Sequence, residues 1–379
     1  MVVEATQPAY SPGLEGVVAG VSQISKVSSE IDSLIYRGYD VRDLAQHCQY
    51  EEVAFLLLEG HLPTQSELDA FKAKIASEMT IPNEVVQMLG ALPNTTHPMD
   101  VLRTGVSMLA AFDPQVTEMT TAANKAKAIR LMAKMPTIIT TAHRLAQGLQ
   151  PVQPDAALNL AKNFFYTLTG NKPDPQVADV FDTSLILYAE HGFNASTFSG
   201  RVTCSTLSDL HSGIVAAIGT LKGPLHGGAN EEAMHMLLEV GSVEKAESWI
   251  RDALVQKKKI MGFGHRVYKN GDSRAPLLKK LGRQLCEAKG QAQWADMADI
   301  IEDVMMREKN IHPNVDFPTS YIYYVMGLPI PIYTPIFAMS RIAGWSAHII
   351  EQLENNRLIR PKSLYEGPQH VPFAPIAER

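Results

Sequence analysis

Two histidines and one aspartate stand in segments unlike the rest of this chain. His226 lies in Gly223-Pro224-Leu225-His226-Gly227-Gly228-Ala229-Asn230, and His265 in Met261-Gly262-Phe263-Gly264-His265-Arg266-Val267-Tyr268-Lys269. Asp316 lies in His312-Pro313-Asn314-Val315-Asp316-Phe317-Pro318. Each segment sets a titratable side chain among glycines and prolines at a helix boundary, where catalytic groups tend to be carried on loops held by rigid elements. Two imidazoles and a carboxylate can move protons near neutral pH, and glycine beside a histidine lets backbone and ligand approach closely. Each residue also has a purely structural reading. His226 could cap the helix that begins near Asn230, His265 could pair with a neighbouring carboxylate, and Asp316 could be the N-cap of a helix opened by Pro318. His47, His143, His211 and His235 read as ordinary helix-face residues.

Other chemistries lack their signatures. The chain has no HExxH, no Walker A loop and no Gly-x-Ser-x-Gly elbow. Gly262-Phe263-Gly264 begins a dinucleotide fingerprint, but Val267 occupies the third glycine position and the pattern gives no preceding strand. A metal hydrolase built on the histidines conflicts with the absence of ligand spacing.

Helical periodicity dominates the elements that must carry these loops. Val177, Val180, Phe181, Ser184 and Tyr188 recur at steps of three and four, as do Leu207, Leu210, Ile214, Ala217 and Leu221. Trp294, Met297, Ile301, Val304 and Met305 form a third stripe, and Ile336, Met339, Ala343, Ala347 and Ile350 a fourth. Gly223-Pro224, Gly241, and Gly327 before Pro329 read as stops. Asn230 ahead of Glu231 and Glu232 reads as an N-cap with first-turn acids. Strand-like alternation is confined to Val17–Val27 and Leu34–Tyr39, which predicts a short hairpin near the start of a nearly all-α protein. Breaks at 220–228 and 310–318 suggest a smaller unit of about ninety residues inserted into a larger one.

The chain has 379 residues, enough for two structural domains. Apolar residues make up 45% and charged residues 20%, an ordinary soluble composition. The net charge of −6 disfavours a nucleic-acid binder. Lys257-Lys258-Lys259, followed by Arg266 and Lys269, is a local basic exception; it reads as a solvated helix end or as a ligand contact. No apolar run approaches bilayer length, and the start shows no signal-peptide pattern. Three cysteines, Cys48, Cys204 and Cys286, give neither a disulfide framework nor a thiolate metal site. The expected location is the cytoplasm.

The three segments together strongly resemble the catalytic segments of the citrate synthase family, in order and at suitable spacing. The resemblance continues through Tyr188-Ala189-Glu190-His191-Gly192-Phe193-Asn194-Ala195-Ser196-Thr197-Phe198 and Ser340-Arg341-Ile342-Ala343-Gly344-Trp345-Ser346-Ala347-His348. It ends at Leu358-Ile359-Arg360-Pro361-Lys362-Ser363-Leu364-Tyr365, and covers roughly residues 13 to 367. It implies an all-α fold with a large domain (1–222 and 321–379), a smaller inserted domain (223–320), and active sites in the cleft between them. It also implies a symmetric homodimer of the family's shorter branch, with no metal and no redox cofactor.

The resemblance further assigns roles. Asp316 takes a proton from the acyl-CoA, His226 donates a hydrogen bond to the thioester oxygen, and His265 acts on the carbonyl of the oxo acid. His191, Arg274, Arg341 and Arg360 hold oxaloacetate, with Arg360 reaching the neighbouring subunit's site; a planar guanidinium suits carboxylates. Lys259, Ile260, Met261, Gly262, Phe263 and Gly264 contact CoA, which favours the ligand reading of the lysine run. After Asp316 the chain reads Phe317-Pro318-Thr319-Ser320, where many citrate synthases carry Phe-Tyr-Ser-Gly. Proline-containing versions occur in relatives that accept propionyl-CoA. The expectation is therefore condensation of acetyl-CoA with oxaloacetate, with 2-methylcitrate synthesis from propionyl-CoA as the alternative. A catalytically silent CoA-binding relative is the alternative of another class.

Overall fold

The computed structural model describes residues 10–28, 30–265, 268 and 271–379. Arg266 and Lys269, the outer part of the basic run, lie outside the described residues. Sixteen α-helices occur among the described residues. The first eight are α1 (Val41–His47), α2 (Tyr50–Glu59), α3 (Gln65–Glu78), α4 (Asn83–Ala91), α5 (Pro98–Leu109), α6 (Thr121–Ala146), α7 (Leu160–Thr169) and α8 (Pro175–Tyr188). Then follow α9 (Ala195–Ser205), α10 (Leu210–Leu221), α11 (Ala229–Val240), α12 (Val243–Val255), α13 (Ala275–Ala288), α14 (Gln293–Lys309), α15 (Asp316–Val325) and α16 (Tyr333–Glu354). The fold is all-α, and no described helix is long and apolar enough to cross a membrane.

The sheet found among the described residues is smaller than the sequence pattern suggests. Strands β1 (Ser25–Ser28), β2 (Ser33–Tyr36) and β3 (Tyr39–Asp40) pair antiparallel in chain order, with Ser25 opposite Tyr36 and Tyr36 opposite Tyr39. The expected strand from Val17 begins only at Ser25, because Val17, Val18 and Val21 are exposed and have no partner strand. Leu207 also leaves its stripe: it precedes α10, sits at φ 67° and is 64% exposed. The start of α11 differs too. Its N-cap is Gly228 at φ 78°, a left-handed position suited to glycine, and Asn230 is buried one residue inside the helix. His211, read as a helix-face residue, is buried beside Asp113 at 3.5 Å.

Helix α16 organises the core. It packs against α2, α5, α6, α8, α9, α10 and α11, and nearly every residue from Tyr333 to Ile350 is buried. A helix enclosed on all sides needs small residues where neighbours cross. Gly344 supplies one: a Cβ there would lie 2.5 Å from the Ala189 carbonyl and closer still to the Glu190 carboxylate, while its N–H donates to that carbonyl at 3.2 Å. Tyr36 Oη donates to the Glu190 carbonyl at 2.9 Å, and His348 Nε2 meets Glu190 Oε1 at 2.8 Å. The turn after α8, which carries His191, is thus clamped by β2 and α16 together. Elsewhere, α11 rests on α15 and α12, α12 on α14, and α13 on α14 and α15.

Gly344→Ala should lower thermal stability, because the obstructing atom is backbone and cannot rotate away; a loss of about 1–3 kcal/mol is expected for overpacking of this kind. Denaturant unfolding checks it, and an unchanged midpoint would contradict the close approach.

Candidate active site

The chain forms a tight loop between α10 and α11 to present His226. A Cβ on Gly227 would lie 2.0 Å from the Leu221 carbonyl, so only glycine lets the chain fold back there. The His226 ring reaches α9. Its Nε2 accepts the Ser196 N–H at 3.2 Å and lies 2.8 Å from Ser196 Oγ. Ser196 Oγ in turn donates to Asn194 Oδ1 at 2.7 Å and accepts Trp345 Nε1–H at 3.0 Å. With Nε2 an acceptor, the neutral ring carries its proton on Nδ1. Burial, with Arg341 nearby, lowers the pKa to about 4, so the ring is a neutral donor at pH 7.

His265 and Asp316 are brought together by main-chain hydrogen bonds. Asn314 N–H donates to the Gly262 carbonyl at 2.8 Å, Gly264 N–H to the His312 carbonyl at 2.9 Å, and Phe263 bridges Pro313 antiparallel. Gly262, at φ 79°, has no room for a Cβ, which would lie 2.7 Å from Phe317 Cβ. The Phe263 and Phe317 rings close the contact at 4.6 Å. Tyr268 N–H donates to His265 Nδ1 at 3.3 Å, leaving the neutral ring's proton on Nε2. Burial and then Arg274 lower its pKa to about 4. Asp316 opens α15 and accepts Tyr188 Oη–H at 2.8 Å. Burial raises the proton affinity of its carboxyl; the Tyr188 hydrogen bond, Arg274 and Arg341 oppose that rise, and Asp272 adds to it.

Two arginines and a third imidazole line the same space. Arg274 is bound bidentately by Asp272, Nε to Oδ1 at 2.8 Å and Nη2 to Oδ2 at 2.7 Å, and its Nη1 donates to the Leu187 carbonyl at 3.1 Å. Arg341 donates Nε–H to the Tyr188 carbonyl at 2.5 Å and stacks 4.4 Å from the Phe337 ring. It is only 2% exposed, yet neither Nη has a protein acceptor among the described residues. Burial brings its pKa down to about 10, so it stays charged. The His191 ring lies 5.0 Å from that of His265; its Nε2 is buried without a partner among the described residues, and burial plus the two arginines keep it neutral.

The remaining expected residues sit apart. Lys259 is exposed, and with Met261 it lines a cavity of about 340 Å³ shared with His97, Lys222, Gly227 and Glu231. Ile260 is buried. Arg360 is exposed on the segment after α16, which is fastened to α9 by Ile359 N–H to Ser205 Oγ at 3.1 Å and Asn356 Nδ2 to the Ser205 carbonyl at 3.0 Å. Among the described residues it bonds to none of the others named here. Sequence reasoning gave no individual part to Tyr188, Ser196, Asp272 or Trp345. Tyr188 reads in the sequence as part of an apolar stripe and as the head of a segment carrying the family resemblance, without a role of its own. Asp272, two residues before an arginine, was the one with a readable local signal.

Two neutral imidazole donors, a carboxylate of raised proton affinity and two buried guanidinium groups are the equipment of an acid–base enzyme acting on an anion. Residues 13–362 match the family described as citrate synthase, C-terminal domain. The chain is 48% identical over 368 residues to citrate synthase 2 of Bacillus subtilis (strain 168), covering 97% of this chain and 98% of that one. It is also 48% identical over 361 residues to the 2-methylcitrate synthase of Mycobacterium tuberculosis (strain H37Rv), covering 95% and 91%. The fold superposes, with a TM-score of 0.91 and 34% identity, on the citrate synthase of Thermoplasma acidophilum solved as a ternary complex with carboxymethyl coenzyme A and oxaloacetate; 98% of this chain and 100% of that one are covered. The chain belongs to the citrate synthase family. It is an enzyme of the acyl-transferring kind, which sets aside the silent CoA-binding alternative.

Neither His226 nor His265 should titrate between pH 6 and 8. Imidazole nitrogen shifts measured by NMR on the labelled protein would show both rings neutral throughout, with the proton on Nδ1 of His226 and on Nε2 of His265. A midpoint above pH 6 for either ring would contradict the site described.

Proposed function

We propose that the enzyme condenses acetyl-CoA with oxaloacetate and hydrolyses the resulting thioester to citrate and CoA. The observation that carries this is the Asp316 carboxylate, raised in proton affinity by burial and sharing the buried Arg274 and Arg341 with two neutral imidazoles of opposite tautomer, His226 and His265. Asp316 removes a proton from the acetyl methyl. The Nδ1–H of His226 stabilises the enolate oxygen that forms, a preorganised donor worth roughly 3–4 kcal/mol. The enolate carbon attacks the oxaloacetate carbonyl, whose oxygen meets the Nε2–H of His265. Water then cleaves the thioester. Arg274, Arg341 and His191 hold the two carboxylates, and Arg341, a buried residue whose Nη groups have no protein acceptor among the described residues, supplies the clearest demand for an anion. Lys259 to Gly264 contact CoA.

In this reading 223–320 acts as a small domain, 1–222 with 321–379 as a large one, and substrate binds between them in a cytoplasmic homodimer without resident metal. The ternary complex of the Thermoplasma enzyme supports both substrates. The second reading, 2-methylcitrate synthesis, is favoured by Pro318 two residues beyond the base and by the Mycobacterium relative. One assay separates them. Thiol release should survive excess EDTA and give a higher kcat/KM with acetyl-CoA; an added methylene is worth only about 1–3 kcal/mol, so propionyl-CoA should remain detectable. A tenfold or greater preference for propionyl-CoA, about 1.4 kcal/mol, establishes the second reading. Asp316→Asn should reduce kcat by well over tenfold with little change in oxaloacetate affinity; retention of more than about a tenth of kcat refutes the base assignment.

Arg360, exposed on a fastened tail, suits a site shared between copies. Asp316→Ala and Arg360→Ala should each be nearly inactive alone. A purified mixed dimer of the two should recover roughly half of wild-type activity, because one of its two symmetric sites is intact. No recovery in a verified mixed dimer would refute the shared site.

A further inference from the structure

The loop that follows His265 and the loop that precedes Asp316 meet at a third carboxylate. The side chain of Asp272 is fully buried. It accepts four hydrogen bonds: Arg274 N–H at 3.1 Å, Arg274 Nε–H at 2.8 Å, Arg274 Nη2–H at 2.7 Å, and Val315 N–H at 3.0 Å. A carboxylate offers about four lone-pair sites, so its capacity is used up inside the protein. Three of these bonds fix one arginine. The fourth spans 43 residues of sequence and reaches the residue directly before Asp316.

We propose that Asp272 is a positioning residue for the condensation: it binds the substrate-holding Arg274 and the backbone that carries the base Asp316 into one unit, and it balances the guanidinium charge that Asp316 would otherwise face. The proposal rests on Asp316 being the base. Asp272 makes no contact with the reacting atoms; it acts through its two neighbours.

The charges around Asp316 give the proposal a sign. Tyr188 of α8, Arg341 of α16, and Asp272 and Arg274 ahead of α13 act on it, and its own charge acts on Tyr323 of α15. The two arginines favour the carboxylate, and Asp272 opposes them. Replacing Asp272 by a neutral amide leaves Arg274 uncompensated beside the base. An opposite charge lowers a carboxyl pKa, by about 1–3 units when within roughly 4–6 Å. The carboxylate then persists to lower pH but is a weaker base, so the acid limb of kcat moves down and the plateau falls.

The test measures thiol release from acetyl-CoA, at saturating oxaloacetate, across pH for the full-length wild type and Asp272→Asn. Oxaloacetate affinity by calorimetry and melting temperature are measured beside it. The expected result is a folded variant whose acid limb lies about one unit or more lower, whose plateau kcat is reduced at least about tenfold, and whose oxaloacetate affinity changes by a smaller factor. A purely structural carboxylate would leave the limb in place, so an acid limb at the wild-type pH overturns the proposal whatever the plateau. Should Asp272→Asn fail to fold, Asp272→Glu keeps the charge and lengthens the arm. A wild-type limb with kcat down about tenfold is then expected, and wild-type kcat overturns the proposal. Failure of the underlying reading shows separately, as substantial activity in Asp316→Asn.

Discussion

Everything in the site depends on two guanidinium charges held out of water. Arg274 and Arg341 are each about as buried as a leucine in the core. Their neutralisation is unequal: Arg274 has a bidentate carboxylate, whereas Arg341 has a backbone carbonyl, an aromatic face and the more distant charge of Glu190. A low-dielectric pocket amplifies the surplus. That field adds to desolvation in keeping His191, His226 and His265 uncharged, and it works against desolvation at Asp316. Donors that carry no charge and an acceptor that can ionise are therefore set by the same source.

Much of the frame was readable from residue order. The stripes through Val177, Leu210, Trp294 and Ile336 are helices α8, α10, α14 and α16, because an apolar period of three to four needs no distant partner to be recognised. The segments around His226, His265 and Asp316 carry the family resemblance because several long patterns coincide. What could not be read was anything decided by contacts far apart in the chain. Ser196 is 30 residues from His226 and 149 from Trp345, and nothing local to any of them announces the tautomer they determine. Tyr188 has the spacing of a core residue and a hydroxyl that finds Asp316 at a separation of 128. The first strand is shorter than its valines suggest: Val17, Val18 and Val21 are β-branched residues that suit a strand, but all three are exposed and pair with no described strand. Asn230 looked like a cap because of its side chain, whereas Gly228 became one because of its backbone.

The parts of the site are held by different long-range bonds. The His191 turn is held by β2, Gly344 and His348, and His226 by a chain of hydrogen bonds running through α9 into α16. On the other side, the backbone pairing of 262–264 with 312–314 leads directly into His265, and Asp272 ties the start of α13 to Val315.

The pairing of residues 262–264 with 312–314 has an evolutionary consequence. It relates His265 to Asp316 largely through peptide groups, which every residue type possesses, and asks for particular residues at Gly262 and Gly264, both at positive φ, and at Asn314, whose side chain donates to the Gly264 carbonyl and accepts the Asp316 N–H. Reaction geometry is thereby insulated from substitutions on the surrounding surfaces. Pro318 and Thr319, just past Asp316, take no part in that pairing and can change, reshaping the space beside Asp316, while His265 and Asp316 keep their spacing. A lineage built this way can pass between acyl substrates by small steps, with each intermediate still a working catalyst.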